Sequence, residues 1–220
     1  MTKQEIADRA KNASRITKDE FLFKLCSGRN VLDVGCIGQD RIFTSDNWLH
    51  NKLRKITKTI DGVDILLEEI RQLKEQGYSM YSIPELEQLN RTYEVVLMSD
   101  VVEHVNDPVS FLEFYSRFLN PDGAMFVSTP NSNRSNNFIN ILFNNNYSVN
   151  PEHTFWFCPR TFAEVVNRAG LEITEFYWAD HYATAPVKGM YQKFKFALVN
   201  ILKNRRSNFN PNMIFVIKKR

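Results

Sequence analysis

The composition of this chain is typical of a soluble globular protein. It has 220 residues, of which 43% are hydrophobic and 24% are charged, and its net charge is +3. This length can bury a core without disulfides or metals, and the composition excludes extended disorder. So small a net charge permits an anionic partner but gives no reason to expect nucleic acid as a partner.

The sequence also predicts a cytoplasmic location. Its beginning, MTKQEIADRAKNASRITKDEFLF, mixes charged and apolar side chains, unlike a secretory signal. No stretch approaches the roughly 18 uninterrupted apolar residues of a membrane-spanning helix. The three cysteines, Cys26, Cys36 and Cys158, are odd in number and widely spaced, which favours a reducing compartment.

Short apolar runs alternate with helical patterns along the chain, which predicts an α/β fold with a parallel sheet covered by helices. The first element is a predicted N-terminal helix in residues 1–26. Seven strands follow, at residues 30–36, 59–65, 78–83, 93–99, 123–129, 171–179 and 212–219. No internal repeat or linker interrupts them, so residues 1–220 are expected to form one domain.

Two of the intervening helices have clear start and stop signals. The first has Asp107 as its N-cap and Pro108 as its first residue, and it stops before Pro121. The second begins at Pro159 and ends at Gly170.

Two segments do not fit the alternation of strands and helices. Residues 132–157 are polar and Asn-rich, which is typical of a lid over the carboxyl edge of a sheet. Residues 181–211 contain a predicted basic amphipathic helix, with apolar residues at helical spacing among Lys188, Lys193, Lys195, Lys203, Arg205 and Arg206. Such a helix packs on its own domain or a second copy of the chain, or lies on an anionic membrane.

The sequence VLDVGCIGQD, at residues 31–40, predicts a cofactor-binding turn after the first strand of the sheet. Gly35 and Gly38 lie there, but a third glycine is absent, which disfavours a dinucleotide. Asp33 would repel a pyrophosphate but suits a cofactor that carries an ammonium group, such as S-adenosylmethionine. Because Ile37 is β-branched, we expect ordinary backbone dihedrals at this residue.

Five segments, in this order, resemble those of class I S-adenosylmethionine-dependent methyltransferases: VLDVGC, GVDI, YEVVLMSDVVEHVNDP, LNPDGAMFVSTPN and EHTFWFCPRTFAEVVNRAGLEI. The resemblance covers roughly residues 28–180. It implies a Rossmann-like, mainly parallel sheet of seven strands with helices on both faces and a reversed last strand. The segments VLDVGCIGQD, NWLHNKL and EHTFWF together also resemble enzymes of bacterial glycan-biosynthesis clusters.

The resemblance implies a set of residues for the cofactor. They are Asp33, Gly35, Cys36, Gly38, Asp64, Ile65, Glu85, Leu86, Ser99 and Asp100. The first four would line the methionine end, with Asp33 acting indirectly. Asp64 would accept hydrogen bonds from both ribose hydroxyls. Glu85 and Leu86 would hold the adenine.

Catalysis is expected in the segment SDVVEHV, after the fourth strand. Methyl transfer requires a positioned acceptor and removal of its proton, so His104 is the candidate base, with Glu103 beside it and His153 across the substrate. The alternative is that His104 shapes the turn and Glu103 caps a helix. The spacing D-x-x-E-H also resembles E-x-x-E-H in the ubiquinone-pathway and small-RNA 3′-terminal 2′-O-methyltransferases, which implies a divalent metal held by Asp100, Glu103, His104 and His153.

Three classes of function remain open from the sequence: a methyltransferase, an oxidoreductase and a non-catalytic methyltransferase-fold binding protein. For a methyltransferase, the expected substrate is a sugar hydroxyl of a bacterial surface glycan or its precursor. A small phenolic or quinone-like molecule is the alternative. Contact with the inner face of the membrane and self-association are further expectations.

Overall fold

An eight-stranded sheet forms the centre of the computed structural model, which describes residues 1–38, 46–147, 149–179 and 189–220. The strands are β1 (Arg15–Ile16), β2 (Asn30–Val34), β3 (Thr59–Val63), β4 (Met80–Tyr81), β5 (Tyr93–Ser99), β6 (Leu119–Pro130), β7 (Leu171–Ala179) and β8 (Asn212–Lys219). Their order across the sheet is β1-β7-β8-β6-β5-β2-β3-β4.

Nine α-helices and two 3-10 turns lie in the described residues. The helices are α1 (Lys3–Asn12), α2 (Lys18–Cys26), α3 (Leu49–Arg54), α4 (Leu67–Glu75), α5 (Ile83–Gln88), α6 (Pro108–Ser116), α7 (Ser135–Asn144), α8 (Pro159–Arg168) and α9 (Met190–Arg205). The 3-10 turns are Val102–His104 and Ser207–Phe209.

The sheet has the mainly parallel, Rossmann-like arrangement that was expected. All seven predicted strands are present, and β8 runs antiparallel to β6 and β7, which confirms the reversed last strand. The predicted number of seven is wrong, because β1 pairs in parallel with Trp178 and Ala179 at one edge. Unlike β4, which lies in the segment YSMYSI, β1 consists of a charged residue and one isoleucine, so no apolar run marks it in the sequence.

The prediction of one helix in residues 1–26 is also wrong. The structure has α1, then β1, then α2 in this segment. Ala13, the C-cap of α1, has an extended backbone, and the carbonyl of Ser14 accepts a hydrogen bond from the Trp178 N–H. Pairing with the edge of the sheet therefore interrupts the helix.

Alternating strand residues pack against helices on the two faces of the sheet. In β6, Met125 and Val127 belong to the cluster that includes residues of α1, α5, α6 and α8, whereas Phe126 belongs to the cluster with α2 and α3. This period of two is the pattern of a strand that is buried on both faces.

The predicted starts of both helices and the stop of the second are confirmed, but α6 ends at Ser116, and the predicted stop at Asn120 and Pro121 lies within β6. Asp107 Oδ1 accepts hydrogen bonds from the N–H groups of Val109 and Ser110 at the start of α6. Helix α8 begins at Pro159, and Gly170 follows it with φ +70°.

Both predicted insertions contain a helix. Helix α7 lies within residues 132–157 and contacts α9, which lies within residues 181–211. Lys188 lies outside the described residues. Within those residues, no helix has both the length and the apolar character needed to cross a membrane.

Candidate functional site

The segments that follow β2, β3, β4 and β5 meet at one edge of the sheet, because these strands are parallel. In open α/β sheets, ligands bind beyond this carboxyl edge. Most of the candidate residues lie in these segments.

Gly35 is the residue at which the loop after β2 turns. Its φ is +65°, and its N–H donates to the carbonyl of Val63 at 2.8 Å. A Cβ at this position would lie 2.8 Å from Cγ2 of Val101, so both the backbone conformation and the space require glycine. Gly38 is exposed, and residues 39–45 that follow it are outside the described part of the chain.

Asp64 joins this loop to the end of β3. Its Oδ2 accepts a hydrogen bond from the Ile37 N–H at 2.9 Å, and its Oδ1 accepts two, from the N–H groups of Ile65 at 2.7 Å and Leu66 at 3.2 Å. Burial raises the pKa of Asp64, although these hydrogen bonds act in the opposite direction. Ile37 does not have a positive φ, as expected for its β-branched side chain.

Asp33 and Cys36 point into the protein beneath the loop. Asp33 Oδ2 lies 2.9 Å from Nδ1 of His50, and both side chains are buried. The indole of Trp48 stacks on His50 and donates to the carbonyl of Cys36 at 2.6 Å. The Cys36 thiol is buried, which raises its pKa. Only the backbone of Cys36 is therefore placed to line a cofactor.

The residues expected to surround ribose and adenine differ in their exposure. Ile65, after β3, is 77% exposed and leaves an apolar surface at the sheet edge. Leu86 is buried in the core. Glu85 caps α5 through the Ser82 N–H and pairs with Lys74 at 2.6 Å, and these contacts lower its pKa to about 2. Glu85 and Leu86 therefore have structural contacts here and do not form an open adenine site.

Asp100 has a left-handed backbone, with φ +58°, directly after β5. Its carboxylate accepts hydrogen bonds from Lys18 Nζ at 2.6 Å and from Ser128 Oγ at 2.9 Å. Lys18 Nζ also donates to Ser99 Oγ at 3.0 Å. Lys18 was missed in the sequence, because the residues it contacts are more than 80 positions away.

Glu103, His104 and His153 form a compact cluster beside this turn. One potential ligand atom from each of the three lies within 4.8 Å of the others. The two imidazole rings meet edge to face with centroids 4.5 Å apart, so they do not lie on opposite sides of a substrate as expected. Asp100 is not in the cluster, because its carboxylate is held by Lys18 and Ser128.

The insertion at residues 132–157 reaches this cluster through hydrogen bonds to the carbonyl groups of Glu103 and Val105. The N–H groups of Thr154 and Phe155 both donate to the carbonyl of Glu103, at 2.9 and 3.1 Å. The Thr154 hydroxyl donates to the carbonyl of Val105 at 2.7 Å. These contacts hold His153 next to His104 although the two are 49 residues apart in the sequence (153 − 104).

The carboxylate of Glu103 is 1% exposed, and neither of its oxygens has a hydrogen-bond partner within the described residues. Burial, followed by the charge of Asp100, raises its pKa to about 8. The nearby Thr129 hydroxyl opposes this increase in the pKa of Glu103, although the two side chains do not form a hydrogen bond. Burial also lowers the pKa of His153, so this imidazole is neutral at pH 7. A buried acid with two imidazoles is a donor set for a divalent cation.

The known proteins that this chain is similar to are methyltransferases. The model of a family described as methyltransferase domain matches residues 6–175. The mitochondrial ubiquinone biosynthesis O-methyltransferase of Homo sapiens is 25% identical over 218 residues, which cover 84% of this chain and 57% of the relative. The ubiquinone biosynthesis O-methyltransferase of Haemophilus ducreyi is 30% identical over 129 residues, which cover 52% of this chain and 49% of the relative.

The chain therefore spans about half the length of these curated relatives. Among solved structures, a SAM dependent methyltransferase from Archaeoglobus fulgidus has the same fold, with a TM-score of 0.54 and 19% identity. That alignment covers 91% of this chain and 90% of the other.

Proposed function

Because this chain belongs to the methyltransferase-domain family, we propose that it transfers the methyl group of S-adenosylmethionine to an oxygen of a small phenolic or quinone-like molecule. The relatives named above are ubiquinone biosynthesis O-methyltransferases. They support this acceptor, which was the alternative expectation, over a sugar hydroxyl of a bacterial glycan. The observation that carries the proposal is the cluster of buried Glu103 with the half-buried His104 and His153.

The carboxyl edge of the sheet fits S-adenosylmethionine. The turn at Gly35 lets backbone approach a ligand, and exposed Ile65 offers an apolar surface for a flat ring. Oδ1 of Asp64 already accepts hydrogen bonds from the N–H groups of Ile65 and Leu66, whereas Oδ2, which accepts one from the Ile37 N–H, keeps a further lone pair for a ribose hydroxyl. The sulfonium of this cofactor supplies an electrophilic methyl group when it is bound.

The cluster also fits a divalent cation, since Glu103 has two buried oxygens without hydrogen-bond partners in the described chain. Glu103, His104 and His153 would hold the ion. When bound, such a cation supplies Lewis acidity, which makes a hydroxyl group beside it more acidic. A substrate with two adjacent oxygens suits this arrangement.

The chain's own residues would orient the acceptor and exclude water. Lys18 and Ser128 fix the carboxylate of Asp100 beside the cluster, and Thr154 fixes the segment that carries His153. Because His153 is neutral at pH 7, it can bind a cation or accept a proton without first losing one.

A surface formed by α7 and α9 is proposed to contact anionic lipid, where an apolar quinone-like acceptor would be found. It has large apolar side chains at least 40% exposed: Phe138, Ile141, Leu142, Phe143, Met190, Phe194, Phe196 and Ile201. Helix α9 also carries Lys193, Lys195, Lys203 and Arg205. Apolar groups beside cations are the composition of a helix that lies on an anionic bilayer.

The test is a methyl-transfer assay with labelled S-adenosylmethionine and two acceptors, a catechol and a nucleotide-linked sugar. We expect methylation of the catechol, complete inhibition by EDTA, and recovery with added magnesium or manganese. His104→Ala should lower turnover by about 10² to 10⁴. The exposed Glu113→Gln variant is the control and should be unaffected.

Two other outcomes would change the assignment. If EDTA has no effect but His104→Ala is inactive, His104 is a base that works without metal. If only the sugar is methylated, the proposed acceptor is wrong.

A further inference from the structure

A cleft of about 340 Å³ opens at the amino edge of the sheet, on the opposite side from the candidate catalytic residues. We call it the basic cleft, and it is lined by His50, Arg54, Thr57, Lys58, Asp61 and Arg91, among others. Its volume falls in the range of small-molecule sites. Nothing in the methyl-transfer proposal uses it.

The basic cleft exists because β4 is short. Strand β4 pairs only with Gly62 and Val63, so the first half of β3 has no partner strand on that side within the described residues. The Gly62 N–H donates to Ser79 on this side, and the alternation of a parallel ladder directs the Ile60 N–H the same way. A backbone donor therefore faces the space between β3 and residues 77–79.

The charge in the basic cleft is positive. Arg54, Lys58 and Arg91 contribute three cations and Asp61 one anion, which leaves two positive charges (3 − 1). Arg54 is held over the ring of Tyr78, 4.4 Å from its centroid, and Arg91 pairs with Asp61 at 3.1 Å. Lys58 has no ion pair among the described residues.

Two buried polar atoms of residues that line the basic cleft lack partners in the described chain. They are Nε2 of His50, a residue only 1% exposed, and Oγ1 of Thr57. The carboxylate of Asp33 makes Nδ1 of His50 the donor, which leaves Nε2 as an acceptor, whereas the Thr57 hydroxyl can donate a hydrogen bond. Leaving buried polar atoms unpaired is unfavourable; an anion would accept a hydrogen bond from Thr57, and a hydroxyl group of the bound molecule would donate one to Nε2.

We propose that the basic cleft binds the phosphate group of a small phosphorylated molecule. A phosphate monoester carries close to two negative charges at pH 7, which matches the charge of the basic cleft. Its oxygens accept hydrogen bonds in several directions, as the guanidinium, ammonium and hydroxyl donors here require. The shared chemistry is the phosphate dianion, and its source is either inorganic phosphate or an organic monoester.

The test is calorimetric titration of the full chain with inorganic phosphate and with glycerol phosphate, at constant ionic strength. We expect saturable binding of at least one, weakened about tenfold or more by Lys58→Gln and by Arg54→Gln. Lys55→Gln is the matched control, because Lys55 follows α3 but does not line the basic cleft. Tighter binding of glycerol phosphate would identify an organic monoester, and equal binding would identify the phosphate group alone.

The two results that overturn the proposal are absence of saturable binding to either probe, and equal weakening by Lys55→Gln and Lys58→Gln. Thermal melts by circular dichroism verify that each variant is folded. A second measurement is the nitrogen-15 spectrum of the histidines during the phosphate titration. We expect the Nε2 resonance of His50 to shift and that of His153 to stay constant, and the reverse pattern would place the anion elsewhere.

Discussion

Replacing Glu103 with glutamine should remove a large pH dependence of stability. In the folded protein the pKa of Glu103 is raised from 4.5 to about 8. Between these two pH values the folded state keeps a proton that the unfolded state has released. The free energy of unfolding is therefore highest at acidic pH and falls as the pH rises towards 8.

The size of this effect follows from the pKa. A shift of one pKa unit corresponds to about 1.4 kcal/mol, so the increase from 4.5 to about 8 changes the free energy of unfolding by about 5 kcal/mol. This is a large part of the 5–15 kcal/mol that is typical of domain stability. The glutamine side chain has nearly the same shape and stays neutral, so Glu103→Gln should be several kcal/mol more stable than the wild type at pH 8.

The assay is urea unfolding from pH 5 to pH 8.5 in EDTA, followed by circular dichroism. His153, whose pKa is lowered, contributes stability that is lost as the pH falls, but it is present in both proteins and cancels in the comparison. The exposed Glu113→Gln variant should keep the wild-type slope. Equal slopes for the wild type and Glu103→Gln would refute the reasoning.

Three further predictions concern other parts of the site. Asp64→Asn should weaken S-adenosylhomocysteine binding at least tenfold by calorimetry, since a neutral amide accepts fewer hydrogen bonds, and an unchanged affinity would exclude Asp64 from the ribose site. Lys18→Gln, which releases Asp100, should lower turnover and cost about 1 kcal/mol in urea unfolding; unchanged turnover would limit Lys18 to a structural role. Phe194→Ser with Ile201→Ser should abolish flotation with anionic vesicles, and equal flotation of the double variant would contradict the membrane surface.

Most of the sheet could be predicted from the sequence because all of its strands except β1 and β4 are runs of five or more residues that are rich in apolar side chains. The helix caps were predictable for the same kind of reason, since Asp107 and Gly170 act on neighbouring backbone groups. Contacts between segments that are far apart in the sequence could not be predicted. The pairing of Arg15 and Ile16 with β7 depends on where the chain lies after it has folded.

The candidate site was predictable in its residue types but not in its contacts. Glu103, His104 and His153 come together as the sequence motifs suggested, yet Asp100 is held by Lys18, which no local pattern connects to it. Glu85 was assigned to adenine although the sequence from Ser82 to Glu85 has the S-x-x-E spacing of a capping box. That signal was present in the sequence and would have prevented the assignment.

The contact between Gly35 and Val101 constrains how sequences of this family can diverge. An alanine at position 35 would collide with Val101, so a smaller residue must first arise at position 101. Even then, a φ of +65° would cost an alanine about 1–2 kcal/mol. Substitutions at the two positions are therefore epistatic and have a fixed order. The cofactor loop and the turn after β5 should accordingly co-evolve, although they are 66 positions apart (101 − 35).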